Sequence, residues 1–465
     1  MAQLIVVSNR VAVADESGRA AAGGLATALR EALQTHGGTW FGWSGKVSDQ
    51  PAVAPQITTR GRVRYAVVDL SPLDHGEYYN GFANRSLWPT MHYRIGLSEF
   101  SRAEHAGYLR VNRSFARALA ELIGPDDLVW IHDYHLIPLA AELRRLGVRG
   151  RLGYFHHIPW PAREVLGTLP SSHELLDSMF AYDLVGVQTE DDAINLGRGL
   201  VRDAGARRLG ECTFQGPEAD RPVQVKVFPI GIDVAGFRRA AERAHQSPTV
   251  ADTVRSLGDR KLLIAVDRLD YSKGVPDRME ALKRFLLSNP DQRGAVSYLQ
   301  IAPRSRTEVP EYAALSRTVN ETLGEINGEL GDPGWVPIHY VTKTYPRSVL
   351  AGLYRHASVG LVTPMRDGMN LVAKEYVAAQ DPADPGVLIL SKFAGAAQQL
   401  RDALIINPYD KFEIAEAVRQ ALYMERDERV ARWQAMIAPI TEHDISWWTS
   451  AFLADLARAP EPALA

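Results

Sequence analysis

Cysteine is almost absent: Cys212 is the only one in 465 residues, which excludes an internal disulfide and any zinc site built on cysteines. Long apolar runs are missing too. No stretch approaches the roughly 18 apolar residues of a membrane-spanning helix. The apolar start Leu4–Val7 is too short for a secretory leader and runs straight into Ser8-Asn9-Arg10. Neither sign of charge dominates: the formal net charge is −3, so neither a nucleic-acid surface nor an acidic-membrane surface is expected. No Asp-x-Asp triplet occurs, and the His pairs match no zinc spacing, so the expectation is no metal and no cofactor. What is present is ordinary for a globular enzyme of the cytoplasm: 46% hydrophobic and 23% charged residues, in a chain long enough for about two or three domains with a large core.

The most informative stretch is Thr363–Glu375, Thr-Pro-Met-Arg-Asp-Gly-Met-Asn-Leu-Val-Ala-Lys-Glu. A short apolar run, Val359–Val362, predicts a strand before it, and Leu371–Gln380 predicts a helix after it. Between them Gly368 permits a tight turn and Asn370 is positioned as an N-cap. The first amides of such a helix favour an anion, most naturally a phosphate. Glu375, about one and a half turns in, leans back toward the helix start and suits the hydroxyls of a neighbouring sugar. On this stretch alone, a capped α/β turn with a surface Glu is an equal reading.

The same strand-then-polar pattern recurs along the chain. Strands are predicted at Leu4–Val7, Leu128–Ile131, Leu152–Phe155 and Leu184–Val187, ending in Ser8-Asn9-Arg10, His132-Asp133-Tyr134-His135, His156-His157 and Gln188-Thr189, and Val225–Ile230 with Gly231-Ile232-Asp233 reads as the end of the first half. From Lys261 the pattern restarts, with strands at Leu262–Val266, Tyr298–Ile301, Ile338–Val341, Val359–Val362, Val387–Leu390 and Leu404–Ile406. Helices are predicted between them at Asp277–Leu287, Tyr312–Leu330 and Lys411–Met424. Gly23-Gly24-Leu25 opens another, Leu25–Leu33, where backbone can approach a ligand closely. Trp40–Gly45 is aromatic-dense, as core or as a sugar platform, and the aromatics around Tyr78–Asn80 and Leu87–Pro89 read as irregular. Ligands of open parallel sheets lie at the carboxyl ends of the strands. Two consecutive doubly wound α/β halves, all with polar strand ends, therefore imply a ligand cleft between domains.

Together these motifs resemble the trehalose-6-phosphate synthases, retaining glycosyltransferases of GT-B architecture with two Rossmann-like domains. The resemblance runs from Leu4 to about Leu456. It is carried by Ser8-Asn9-Arg10, Gly23-Gly24-Leu25, Trp40-Phe41-Gly42-Trp43, Glu77-Tyr78-Tyr79-Asn80, His132-Asp133-Tyr134-His135, His157-Ile158-Pro159-Trp160-Pro161, Arg268–Gly274 and Arg366–Glu375. It implies an acceptor-binding domain over 1–230, a nucleotide-sugar domain over 231–440, and a C-terminal helix in 441–465 that returns to the first domain.

The activity so implied is transfer of glucose from a nucleotide-glucose, UDP-glucose before GDP- or ADP-glucose, to glucose 6-phosphate, forming α,α-trehalose 6-phosphate. By position, Arg268 and Lys273 would hold the donor pyrophosphate beside the amides of Leu371 and Val372, and Glu375 the ribose. Asp367, Gly368, Met369, Asn370 and His157 would face the donor glucose, with Gly24 near the reacting centre and Tyr345 near the base. Arg10 and Arg306 would grip the acceptor phosphate, with Tyr79, Trp88 and Asp133 around its sugar. Arg268, Lys273, Asp133 and His157 form the catalytic set, Asp133 as a binding group and not a nucleophile. Tyr345, near the base, stands where some bacterial relatives carry Phe, and Trp160 stands in a position where Phe is common. Two alternatives stay open: coupling of cyclitols, and a non-catalytic sugar-phosphate sensor. A homo-oligomer, dimer or tetramer, is left open as well.

Overall fold

The computed structural model describes residues 3–13, 24–52, 54–305 and 309–459. The chain divides into two compact units, Met1–Pro229 with Trp448–Ala465, and Ile230–Trp447. Residues 441–447, expected with the returning C-terminal segment, thus belong to the second unit, and the division falls inside one helix, Ile445–Arg458.

Among the described residues the first unit has ten strands: β1 (Leu4–Arg10), β2 (Gly38–Val47), β3 (Gln56–Arg60), β4 (Val63–Leu70), β5 (Leu128–His132), β6 (Arg151–Phe155), β7 (Leu184–Val187), β8 (Arg207–Arg208), β9 (Thr213–Gln215) and β10 (Val223–Val227). Their order is β3-β4-β2-β1-β5-β6-β7-β10-β9-β8. The seven from β4 to β10 are parallel, and antiparallel pairs close both edges. Central strands of such a sheet are covered on both faces and so are apolar throughout; Ile5, Val6, Val7, Val129, Trp130 and Ile131 have no exposed surface. The order reverses between β1 and β5, which opens a crevice at their carboxyl ends. Arg10 ends one of these strands and Asp133 follows the other.

The aromatic stretch Trp40–Gly45 lies in β2. Trp40 and Phe41 are wholly buried, and the Trp40 indole donates to Ser8 Oγ at 2.8 Å, so these rings are core. The stretch expected to be irregular is helical instead: Pro72–Asp74, a wide π-helical run His75–Leu87, and Trp88–Met91. Its glycines and Pro89 lower local helix propensity, but packing on the helix Arg102–Ala120 outweighs that; Phe82 lies 4.8 Å and Tyr78 5.9 Å from Tyr108, ring to ring.

Among its described residues the second unit carries six parallel strands: β11 (Lys261–Val266), β12 (Val296–Ile301), β13 (Ile338–Val341), β14 (Ala357–Val362), β15 (Val387–Ser391) and β16 (Leu404–Ile406). Their order is β13-β12-β11-β14-β15-β16, reversing between β11 and β14. The helices Val275–Ser288, Pro310–Leu330, Leu371–Ala379 and Lys411–Tyr423 fall within a few residues of the predicted spans.

After Trp447 the C-terminal helix packs on the sheet of the first unit. Trp448, Phe452 and Leu456 recur every four residues on one face, and all three are fully buried. Trp448 and Phe452 each lie 4.7 Å from the Trp130 ring. Gly153 and Gly186 leave the room, since a Cβ on either would meet Phe452 within 2.9 Å. Lys226 pairs with Asp455 at 2.9 Å outside this contact. Replacing Trp448 with Ala would leave a large cavity, so Trp448→Ala should cost about 3–5 kcal/mol and lower the thermal unfolding midpoint of the first unit. An unchanged midpoint in calorimetry would show that the helix is not needed to complete this core.

Candidate active site

At the crevice of the second unit, the chain leaves β11 through Asp267-Arg268 and turns at Tyr271–Lys273 into the helix Val275–Ser288. Gly274 makes this turn in the left-handed region at φ 65°, and a Cβ there would press within 2.9 Å of the Thr363 carbonyl. The neighbouring strand, β14, leads into the turn 363–370. Four backbone hydrogen bonds hold this turn from outside it: Met365 N–H to the Ser272 carbonyl at 2.7 Å, Asp367 N–H to the Phe393 carbonyl at 3.1 Å, Gly395 N–H to the Asp367 carbonyl at 3.3 Å and Ala396 N–H to the Met369 carbonyl at 2.9 Å. Lys273 is 8% exposed, and its ammonium contacts Asp367 Oδ2 at 2.5 Å. Asn370 Nδ2 donates to the same oxygen at 3.0 Å. An ammonium has three protons to donate, so Lys273 keeps capacity for an anion beyond Asp367.

The expectation that Asn370 caps the next helix fails. Its backbone lies at φ 70°, its side chain makes no capping bond, and its amide is committed to Asp367. The left-handed torsion turns the chain sharply into Leu371, and the helix N-terminus with Leu371 and Val372 faces the turn without a side-chain cap from Asn370. That is the arrangement in which backbone N–H groups donate to an external anion.

Beneath this turn lies a residue that the sequence reading missed. Arg278 is 1% exposed and binds in four directions: to Asp267 Oδ2 at 2.9 Å, Gln300 Oε1 at 3.0 Å, Thr363 Oγ1 at 2.8 Å and the Lys273 carbonyl at 3.0 Å. It thereby joins the ends of β11, β12 and β14 to the turn that carries Lys273. Arg268 itself is exposed, one residue after Asp267. Tyr345 is half-buried with Lys343 5.8 Å over its ring.

Glu375 lies 3.8 Å from Arg347. Burial pushes its carboxyl up from 4.5 to about 7, against the pull of Arg347. Its neighbour Lys374 is wholly buried, donates to the Ile230 carbonyl at 2.6 Å, and is lowered by burial to about 7.

In the first unit, Arg10 is exposed and lies 5.9 Å over the Trp43 ring. Gly45, at φ 90°, makes space for it, since a Cβ would sit 2.6 Å from Arg10 Nε. Tyr79 is half-buried, its ring stacked 5.4 Å from His75 and 5.8 Å from His135. Asp133 adopts φ 76° at the end of β5, and its carboxylate accepts the His157 N–H at 3.3 Å. Arg10, Tyr79 and Asp133 thus line the β1/β5 end of the sheet. Trp88 is 4% exposed, packed 4.1 Å from His92 and 5.6 Å from Tyr134, which leaves little of its surface for a ligand. His157 is half-buried and hydrogen-bonded to His132 at 3.0 Å. Gly24 is the first residue of the helix Gly24–His36; Gly23 and Arg306 lie outside the described residues. A cavity of about 980 Å³ lies by the amino ends of β6, β7 and β10, but its Arg144 and Arg221 are bound to Asp183 at 2.8 and 2.6 Å.

The profile that describes glycosyltransferase family 20 matches residues 3–458. A trehalose-6-phosphate synthase of Sinorhizobium fredii is 52% identical over 459 residues, 98% of each chain. An α,α-trehalose-phosphate synthase (UDP-forming) of Burkholderia xenovorans, solved in complex with glucose-6-phosphate, is similar with a TM-score of 0.94 and 45% identity, covering 98% of this chain and 99% of that one. A protein of Escherichia coli bound with UDP-2-fluoro glucose gives a TM-score of 0.92 and 42% identity, again over 98% and 99%.

The raised carboxyl of Glu375 has a measurable consequence. Below pH 4.5 the group is protonated whether the chain is folded or not; above about 7 it is ionised in both states, and the folded chain carries the burial penalty. That penalty grows as pH rises between the two values. Glu375→Gln should therefore gain in unfolding midpoint against the parent, by a few degrees, as the pH of the ligand-free protein goes from 5 to 8. A gain that shrinks over that range would mean the carboxylate is not strained by burial.

Proposed function

The chain belongs to glycosyltransferase family 20, and from that premise we propose that it makes α,α-trehalose 6-phosphate from a nucleotide-glucose, UDP-glucose first, and glucose 6-phosphate. It is an enzyme of GT-B fold class, a hexosyltransferase. The observation that carries the reading is the turn in which Lys273, Asp367 and Asn370 are bound together beside the helix that begins at Leu371. The substrates are suggested by similar proteins, which were solved with glucose-6-phosphate and with UDP-2-fluoro glucose.

In this reading the donor diphosphate lies against Arg268, Lys273 and the amides of Leu371 and Val372. The charge that grows on the leaving diphosphate meets a fixed cation pair and a helix N-terminus, donors already oriented before the bond breaks. Lys273 bonds the diphosphate with the protons that Asp367 does not take. Glu375 accepts from the ribose hydroxyls, and Tyr345 lies by the base. Asp367, Gly368, Met369, Asn370 and His157 hold the transferred glucose, with Gly24 near its reacting carbon. Arg10, with Arg306, binds the acceptor phosphate, and Tyr79, Asp133 and the edge of Trp88 its sugar. The bond from the glucose anomeric carbon to the diphosphate oxygen breaks, the acceptor 1-hydroxyl oxygen bonds to that carbon from the same face, and its proton passes to the departing phosphate. Configuration is retained without a protein nucleophile.

Among the described residues no helix is long and apolar enough to cross a membrane. Both proposed substrates are phosphorylated metabolites of the cell interior, so the cytoplasm is the proposed location.

The product is tested by NMR of a reaction with both substrates, where an α,α-1,1 linkage is expected and a cyclitol product or no turnover overturns the reading. Arg268 is exposed, so Arg268→Ala should leave the fold intact while the rate falls by about 10²–10³, the cost of one such transition-state donor elsewhere. A near-parental kcat would remove Arg268 from the reacting site. Arg10→Ala should raise the KM for glucose 6-phosphate and leave nucleoside diphosphate affinity unchanged in calorimetric titration; equal weakening of both ligands would place Arg10 elsewhere.

A further inference from the structure

His132 ends β5 and His157 follows β6 on the neighbouring strand. Their rings meet nitrogen to nitrogen, His132 Nδ1 lying 3.0 Å from His157 Nε2. One proton occupies that hydrogen bond, and the ring that supplies it fixes the tautomer of both. His132 has no exposed surface. Its ring lies among Trp130 at 4.5 Å, Trp448 at 6.2 Å and Phe155 at 6.4 Å, and its other nitrogen, Nε2, is buried with no hydrogen-bond partner among the described residues.

Were His157 to donate from Nε2, the proton of His132 would sit on its own Nε2, an N–H enclosed by aromatic rings. Orphaned buried N–H groups are rare, and one costs about 1–3 kcal/mol. Donation by His132 from Nδ1 leaves instead an unpaired acceptor nitrogen in the apolar pocket, and buried acceptors are left unpaired more often than N–H donors. His157 then accepts at Nε2 and carries its proton on Nδ1. Burial keeps both rings neutral, His157 lowered to about 3 and His132 well below its ordinary range, so a doubly protonated ring does not compete near neutral pH.

We propose that His132 is a positioning residue that locks His157 in the Nδ1–H tautomer, so that His157 offers a hydrogen-bond donor, not an acceptor, to a hydroxyl of the transferred sugar. The inference rests on the reading of His157 as a sugar contact. It links the C-terminal helix to that contact, because Trp448 packs 6.2 Å from His132 and 6.0 Å from His157.

The test begins with the unaltered protein carrying ring-15N histidine, with the His157 signals identified by their loss in His157→Asn. Nδ1 should show the shift of a protonated nitrogen and Nε2 that of a bare one; the reverse assignment overturns the proposal. His132→Phe keeps the ring volume and removes the donor, so His157 should lose its single tautomer and kcat should fall about tenfold, the worth of one buried hydrogen bond, with the KM for glucose 6-phosphate little changed. His132→Asn, whose amide places an N–H near the position of Nδ1, should recover most of the rate. A parental kcat in His132→Phe while His157→Asn is impaired overturns the positioning role. A parental kcat in His157→Asn would instead remove His157 from the sugar site.

Discussion

Arg278 is the constraint on which the second unit's site depends. A guanidinium without water must find partners for its protons, and here they are Asp267, Gln300, Thr363 and the Lys273 carbonyl. Each lies on a different segment, so satisfying one buried charge sets the spacing of β11, β12, β14 and the turn between them. The bond to the Lys273 carbonyl fixes the backbone of the residue whose ammonium meets Asp367. A well-packed apolar residue of the same size would satisfy the core equally well, but the Lys273 turn would then lose its link through the guanidinium to Thr363, leaving the Met365–Ser272 backbone bond and the Lys273–Asp367 pair. The buried charge is thus better explained by positioning than by stability.

The two units solve the same problem in parallel. Each sheet reverses strand order once, and just past each reversal a non-glycine residue takes a left-handed backbone: Asp133 at φ 76° and Asn370 at φ 70°. Such a torsion costs about 1–3 kcal/mol and persists only where neighbours determine it. Asp133 is held by its N–H to the Phe155 carbonyl and by the His157 N–H on its carboxylate; Asn370 is held through Asp367. In both places the strain turns the chain back over the strand ends, where it presents polar groups to the crevice.

The parts legible in the sequence were those decided locally. Strands buried on both faces announce themselves as continuous apolar runs, which is why β5, β6, β7 and β11 were found, while β3, exposed along its whole length, and the two-residue β8 were not. Tyr78–Leu87 was misread because its helix rests on tertiary packing against Tyr108. Asn370 was misread because a capping side chain accepts through its oxygen from an extended backbone, whereas Asn370 has a left-handed backbone and its Nδ2 bond to Asp367 turns the side chain away from the helix amides. Arg278 looked like any arginine on an amphipathic helix. The available signal was Gln300, a carboxamide inside the fully buried run Val296–Ile301, which required a polar partner from somewhere. His132 was visible as a polar strand end, but only the fold shows it ring to ring with His157.

Lys374 and Glu375 show how one helix serves both anchorage and binding. Adjacent helical residues point about 100° apart, so the two side chains leave Leu371–Ala379 in different directions. Lys374 goes inward to the Ile230 carbonyl, Glu375 toward Arg347. Trp433 donates to the Val377 carbonyl at 3.0 Å and Tyr376 to the Ala357 carbonyl at 3.0 Å, so the rest of the helix is held by its neighbours. The Lys374 ammonium donates to that one carbonyl, and desolvation lowers it to about 7. The helix that faces the anion site is therefore held at Tyr376 and Val377, in its second half, by neutral hydrogen bonds, and at Lys374 by a charged one to Ile230, the first residue of the second unit.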